Sequence, residues 1–240
     1  MWVPKRGEAQ GLPLQARHPR PAKIRELRLT CPICEQRKAK RFCPARSETI
    51  CSVCCGTERE VTIACPARCP HLITSRQYDH ERREIDWSKM PFADTKIPSA
   101  FVVAHERLVA ALSFVICQYA QANRSVVDAD AQAALAALAE SYRTLASGIY
   151  YEHPPASLLQ KGFYDALKKG IEDYKKAEAQ RAGMSTVRDS EIRDTLILLT
   201  QLGATHANGR PKGRAYLDFL RNQFPAEQFS QPASNLIVMP

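Results

Sequence analysis

No run of about 18 uncharged apolar residues occurs in the 240-residue chain, so the sequence offers no membrane-spanning helix and no membrane partner is expected. The opening Met1-Trp2-Val3-Pro4-Lys5-Arg6 leads into polar residues and not into the apolar core of a signal peptide, so a soluble, cytoplasmic protein is expected. Internal repeats and low-complexity tracts are missing as well. Four signatures of catalysis are absent: G-x4-G-K-[ST], G-x-G-x-x-G, H-E-x-x-H and G-x-S-x-G. Nothing legible therefore points to an enzyme or to a small-molecule substrate.

What remains has the composition of an ordinary folded protein. Hydrophobic residues make up 45% and charged residues 25%, near the globular average, which argues against wholesale disorder. The length suits one ordinary core and a small satellite. The net charge of +9 is concentrated in residues 1–46, which hold twelve Lys or Arg against Glu8, Glu26 and Glu35, while the remainder is balanced. Such a block can attract phosphate or an acidic partner, and it also serves as a solubilising tail.

The organisation follows from changes of pattern along the chain. Residues 1–29, with four prolines and no apolar period, read as a disordered basic arm. A cysteine module is expected over 30–75 and a linker that docks through Trp87 and Phe92 over 76–96. From Ile97 the apolar residues recur three or four apart, predicting an antiparallel helical bundle over 97–226 and a C-terminal tail over 227–240 that docks on it. The first stripe runs Phe101, His105, Leu108, Leu112, Val115, Tyr119. The second holds Leu135, Leu138, Tyr142 and Leu145 before Gly148. A third spans about 156–181 with Leu159, Phe163, Leu167, Ile171 and Tyr174, and Pro154 and Pro155 suit its first turn. A fourth, with Ile192, Leu196, Leu199 and Leu202, follows a start signal at Thr186-Val187-Arg188-Asp189, and Pro211 can open a last one with Tyr216, Leu217, Leu220 and Phe224.

Eight of the nine cysteines fall between Cys31 and Cys69. In a reducing compartment such a group points to metal ligands and not to disulfides. Cys31-Pro32-Ile33-Cys34 is a C-x2-C pair, whose turn can present two sulfurs to one ion. Cys43, the Cys51, Cys54, Cys55 group, the Cys65, Cys69 pair and His71 complete nine potential ligands within 41 residues. One zinc is expected and two are possible, with either sequential or interleaved pairing. Few apolar residues accompany the cysteines, so the metal must supply the module's stability. Cys117 lies far away on an apolar helix face and reads as a core thiol.

The run Cys31-x2-Cys34, Arg41-Phe42-Cys43-Pro44 and Ile50-Cys51-Ser52-x2-Cys55 resembles HIT-type zinc fingers and, more loosely, B-box modules, in which ligands interleave around two zincs. The resemblance covers under a fifth of the chain. It implies a first zinc on Cys31, Cys34, Cys51 and Cys55, and a second on Cys43, Cys65 and Cys69, completed by Cys54 or His71. Arg46 stands where the family has a cysteine, and no histidine lies between Cys55 and Cys65. The fold class expected is mainly α, a cross-brace or treble-clef-like zinc module followed by the bundle.

An all-thiolate site is closed, unlike a catalytic zinc with an open position. The expectation is accordingly a non-enzymatic adaptor that docks a protein partner. A nucleic-acid-binding regulator is the alternative, with Arg37, Lys38, Lys40 and Arg41 in the module and Arg210, Lys212 and Arg214 in a loop as phosphate contacts. A redox-sensitive zinc switch is another, because adjacent Cys54 and Cys55 cannot easily serve one ion together.

Overall fold

The computed structural model describes residues 30–146, 148, 151–183 and 187–229. The arm and most of the tail lie outside the described residues, as do Thr186 and Tyr150. The described residues are mainly helical, with a cysteine cluster near their N-terminal end.

The module starts with a turn at Cys31–Cys34. A two-stranded antiparallel hairpin follows, β1 (Arg41–Cys43) and β2 (Glu48–Ile50), in register Arg41↔Ile50, Phe42↔Thr49 and Cys43↔Glu48. Next comes a short helix, α1 (Ser52–Thr57). Turn, hairpin and helix start occur in the order of a treble clef. The small core beneath them is Cys31, Cys43, Ile50, Cys51, Cys54 and Ile63. Its apolar content is slight, so burial alone stabilises the module weakly.

Helix α2 (Pro70–Arg82) leaves the module. Pro70 sits at its first turn, where a missing N–H costs nothing. This helix takes the end of the expected module and the first third of the expected linker. A 3-10 turn, Trp87–Lys89, follows, and of the two aromatics expected to dock, only Phe92 packs against the bundle. Trp87 is 67% exposed. The amide of Gln201 holds the docked segment by donating to the carbonyls of Pro91, Phe92 and Thr95.

The bundle comprises α3 (Ser99–Ala104), α4 (Glu106–Ala122), α5 (Asp128–Ala146), α6 (Leu158–Ala182), α7 (Asp189–His206) and α8 (Ala215–Arg221). Helices α4 and α5 each pack on α6 and α7, and α8 closes against α4 and α7. Leu108, Leu112, Ile116, Leu135, Leu138, Phe163, Leu167, Ile171, Leu196 and Leu199 form the common core with Tyr216. Alanines 131, 134 and 139 are fully buried on α5, and their small size suits its close packing on α7.

Several boundaries differ from the patterning. The first stripe breaks at His105 (φ −117°, ψ 25°), so α3 is a separate turn and the Phe101 ring lies tilted against His105 outside the core. Helix α6 begins beyond Pro154 and Pro155, which precede its cap at Ser157; it ends at Gly183, whose φ of 78° suits only glycine without strain. Helix α7 starts at Asp189, with the Glu191 carboxylate accepting from the Arg188 N–H at 3.0 Å. Pro211 lies in a turn and α8 begins four residues later. That turn is held by Asn208 Oδ1 accepting from the Arg210 N–H at 3.1 Å and by the Gly213 N–H on the Arg210 carbonyl. A Cβ on Gly213 would stand 2.4 Å from Asn208 Oδ1. The first turn of α8 is instead capped from a distance: Asp128 accepts from the N–H groups of Tyr216 and Leu217, both at 3.1 Å. Phe229, at the start of the expected tail, is buried against the bundle.

Candidate metal centre

Four sulfurs converge from two places in the chain. Cys31 and Cys34 come from the turn. Its geometry is fixed by the Cys31 N–H on the Arg37 carbonyl and the Glu35 N–H on the Cys31 carbonyl, both 2.8 Å, with Glu35 at φ 53°. Cys51 and Cys54 come from the start of α1, where Cys51 is the N-cap and its sulfur accepts the Cys54 N–H at 3.3 Å. The hairpin folds the second pair back onto the first.

All four Sγ atoms lie within 4.8 Å of one another. The Cys34 and Cys51 sulfurs are 3.9 Å apart. A tetrahedral ion with Zn–S bonds of about 2.3 Å has S···S edges of about 3.8 Å. The set is therefore of the right size to hold one metal ion, and four soft donors without an open side fit zinc. Cys31, Cys51 and Cys54 are buried, and Cys34 is half-buried.

The electrostatics of the sulfurs agree with a charged occupant. Backbone N–H groups of Gln36 and Arg37 hold the Cys34 thiol down to about 6. Burial pushes Cys31 up, but backbone N–H groups of Cys51, Cys34 and Ile33 outweigh it and leave its pKa lowered. Cys54 is driven the other way, to about 12, by burial and by its bonded neighbours Cys51, Cys34 and Cys31. Four bare thiolates cannot coexist at this spacing, and a divalent cation removes that conflict. The Arg37 guanidinium lies near the Cys34 sulfur and supplies a neighbouring positive charge.

The fourth sulfur is a correction to the ligand set implied by the HIT-type resemblance. Cys54 and not Cys55 completes the cage, because the N-cap bond turns Cys54 inward to 6% exposure. Cys55 is left half-buried at one side, with Arg59 Nη2 at 3.8 Å from its sulfur. The signal was present in the sequence: Cys51-x2-Cys54 repeats the spacing of Cys31-x2-Cys34. With Cys54 engaged, it is no longer available to a second site.

The other expected ligands do not gather in the same way. Cys43 closes β1, Cys65 lies in the loop before α2, Cys69 is the N-cap of α2 and His71 is in its first turn. Burial raises the Cys65 thiol, opposed by a Glu60 backbone N–H and reinforced by the charges of Cys69 and Cys43, so these three are neighbours. Among the described residues they do not form a cluster as tight as the first four. His71 is lowered first by burial, then by Arg41 and Arg59. Cys117 is buried in the bundle, where burial pushes it up to about 12, in keeping with a core thiol.

The expected phosphate contacts divide into two groups. Arg210 Nη1 donates to the carbonyls of Arg59 (2.6 Å) and Gly56 (3.4 Å), and the Lys212 ammonium donates to Thr62 O. Arg214 donates to the carbonyls of Ala120, Arg124 and Val126. These three cations are spent inside the protein, against the phosphate role expected for them. Two of them tie the loop to the cysteine module, a use that sequence reasoning missed because partners some 150 positions away leave no local signal. In the module itself, Lys38 and Lys40 are exposed and Arg41 is half-buried.

The centre of the junction is Glu60, 1% exposed and at φ 54°. Its carboxylate accepts from Arg76 Nη2 and from Asn208 Nδ2, each at 2.6 Å, and its carbonyl accepts the Lys212 N–H. Arg76 Nη1 reaches Asp218 on α8, also at 2.6 Å. Further along, the Arg83 guanidinium donates to the carbonyls of Ala204, Thr205 and Ala207 at the end of α7. The cysteine module is thus mounted on the bundle at two points. Compared with protein-family models, curated proteins and solved structures, the chain matches none.

Proposed function

We propose that the chain is a zinc-stabilised, non-enzymatic adaptor, in which Cys31, Cys34, Cys51 and Cys54 hold one structural zinc and the bundle carries the module as a rigid platform. The observation that supports this most directly is the closed cage of four sulfurs at tetrahedral spacing. An ion wrapped by four thiolates has no position left for water or substrate, so it stabilises and does not catalyse. The cleft beside α2 agrees with a structural reading. In the cleft of about 760 Å³ between α2 and the end of α7, Arg76, Arg83 and Arg210 are bonded to carboxylates or carbonyls of the protein itself. None of the nine cysteines forms a disulfide, which fits a reducing, cytoplasmic setting.

Elemental analysis of the purified full chain tests the reading. One zinc per chain is expected, released by a strong chelator together with loss of the module's order while the helical circular dichroism largely persists. Protein that purifies without metal, or whose stability a chelator leaves unchanged, would refute it.

A further inference from the structure

The hairpin carries a feature that the cage does not use. Backbone alternation places Lys38, Lys40 and Phe42 on one face of the strand leading into and through β1, with Cys43 on the other. Lys38 is fixed there by its bridge to Thr30, and the Lys40 N–H bonds the Ile50 carbonyl at 2.9 Å. Phe42 is 62% exposed on this face. Phe42 is one of several large apolar side chains left exposed, and it stands beside two exposed lysines.

Charge is the second property of this face, although among the described residues exposed bundle lysines such as Lys169 and Lys176 likewise have no carboxylate within ion-pair distance. On the bundle, Lys161, Lys175, Arg181, Arg188 and Arg193 each lie within 4 Å of a carboxylate. The loop cations are engaged by carbonyls. Among the described residues, no ion pair joins Lys38, Lys40 or Arg41 to a carboxylate, and of the hairpin's cations Arg46 is the one paired, with Glu48. The chain segment before Thr30 adds seven Lys or Arg against two Glu, and it joins the module beside Lys38 through that same bridge.

We infer that this face binds single-stranded nucleic acid, Lys38 and Lys40 contacting phosphates and the Phe42 ring stacking on an unpaired base. The inference rests on the adaptor reading, since the hairpin needs its zinc, and it names that adaptor's partner. Stacking is what favours a single strand: a paired base offers no free face to Phe42, whereas every unpaired base does. An acidic protein surface would satisfy the lysines but would leave the exposed ring without use.

Fluorescence anisotropy of the zinc-loaded full chain decides the matter, with a labelled 20-nucleotide uridine strand, its thymidine counterpart and a mixed-sequence duplex as probes. Single strands of either sugar are expected to bind at least ten-fold more tightly than the duplex, and the two sugars report whether RNA or DNA is preferred. Lys38→Ala with Lys40→Ala should lower the slope of log affinity against log salt by about 1.4, or about 0.7 for each phosphate that is no longer neutralised. Removing the same charge from exposed bundle positions, by Lys169→Ala with Lys176→Ala, should leave the slope unchanged. Phe42→Leu should weaken single-strand binding about ten-fold or more, and Phe42→Tyr should keep it. Zinc measured in each sample separates the two readings. Full zinc occupancy with no binding, with equal binding to duplex, or with indifference to Phe42→Leu overturns the inference and leaves the adaptor standing; absence of zinc overturns the adaptor itself.

Discussion

Glu60 Oε1 lies 2.6 Å from Arg76 Nη2, in a pair whose carboxylate side chain is 2% exposed. Because Arg76 also reaches Asp218, the pair links the cysteine module to the last helix of the bundle. Removing one member of a buried pair leaves the other charged and without a partner, which costs more than the pair contributes. Glu60→Ala is expected to destabilise the protein by about 3 kcal/mol, read from the midpoint of urea unfolding. Glu60→Gln should cost less, since its amide oxygen still accepts a bond. A loss under about 0.5 kcal/mol for Glu60→Ala would mean that the junction opens freely in solution.

The cage makes a sharper distinction between two adjacent residues. Cys54→Ser removes one of the four clustered sulfurs that could hold an ion, while Cys55→Ser alters a sulfur that contacts Arg59. Zinc retained per chain after dialysis against a mild chelator should fall steeply for Cys54→Ser and stay at the native level for Cys55→Ser. The reverse pattern would restore the ligand set implied by the HIT-type resemblance.

These outcomes also show what could be read from the chain. Leu108 and Leu112 of the first stripe and the row Phe163, Leu167, Ile171 were legible because helical burial repeats within a few residues. The joining of Cys31 and Cys34 with Cys51 was implied by the HIT-type resemblance, whereas spacing left sequential and interleaved pairings open. The choice of Cys54 over Cys55 turned on one N-cap bond, which spacing does not encode unless the two C-x2-C pairs are matched. The break at His105 was hidden by a stripe that continues across it. The internal use of Arg210 and Lys212 was not legible at all, since their partners are backbone carbonyls of a distant segment and any residue supplies those.

Asp128 exemplifies such distant dependence on a single side chain. It begins α5, yet its two oxygens accept the Tyr216 and Leu217 N–H groups of α8. Burial raises its pKa in spite of those bonds, so the carboxylate is held at a cost that only the bonds offset. Asp128→Ala strands two N–H groups in the core and should cost about 2 kcal/mol. Asp128→Asn keeps one acceptor and should cost less. Hydrogen exchange of the Tyr216 and Leu217 amides reads the effect locally, and unchanged protection in Asp128→Ala would show that the cap is dispensable.

His206 gives the fold a dependence on pH. It stands in the last turn of α7, stacked on Phe219 with ring centroids 3.8 Å apart, and Nδ1 lies 3.0 Å from the Leu202 carbonyl. A helix C-terminus ordinarily favours a protonated histidine. Here burial opposes the charge first, and His80 and Arg83 oppose it further, so its pKa lies below the usual 6.5 despite the Leu202 bond. Arg83 already occupies the terminal carbonyls that a second cation would seek. A histidine with a lowered folded pKa contributes stability that is present above pH 6.5 and is lost as the pH falls through the folded value. The native protein should therefore lose stability as the pH falls below about 6.5. In His206→Gln the decline should be shallower over that range, although the variant is less stable at pH 7.5 for want of the stack. Urea midpoints measured at half-unit pH steps check both, and parallel curves for the two proteins would locate the pH dependence in other groups.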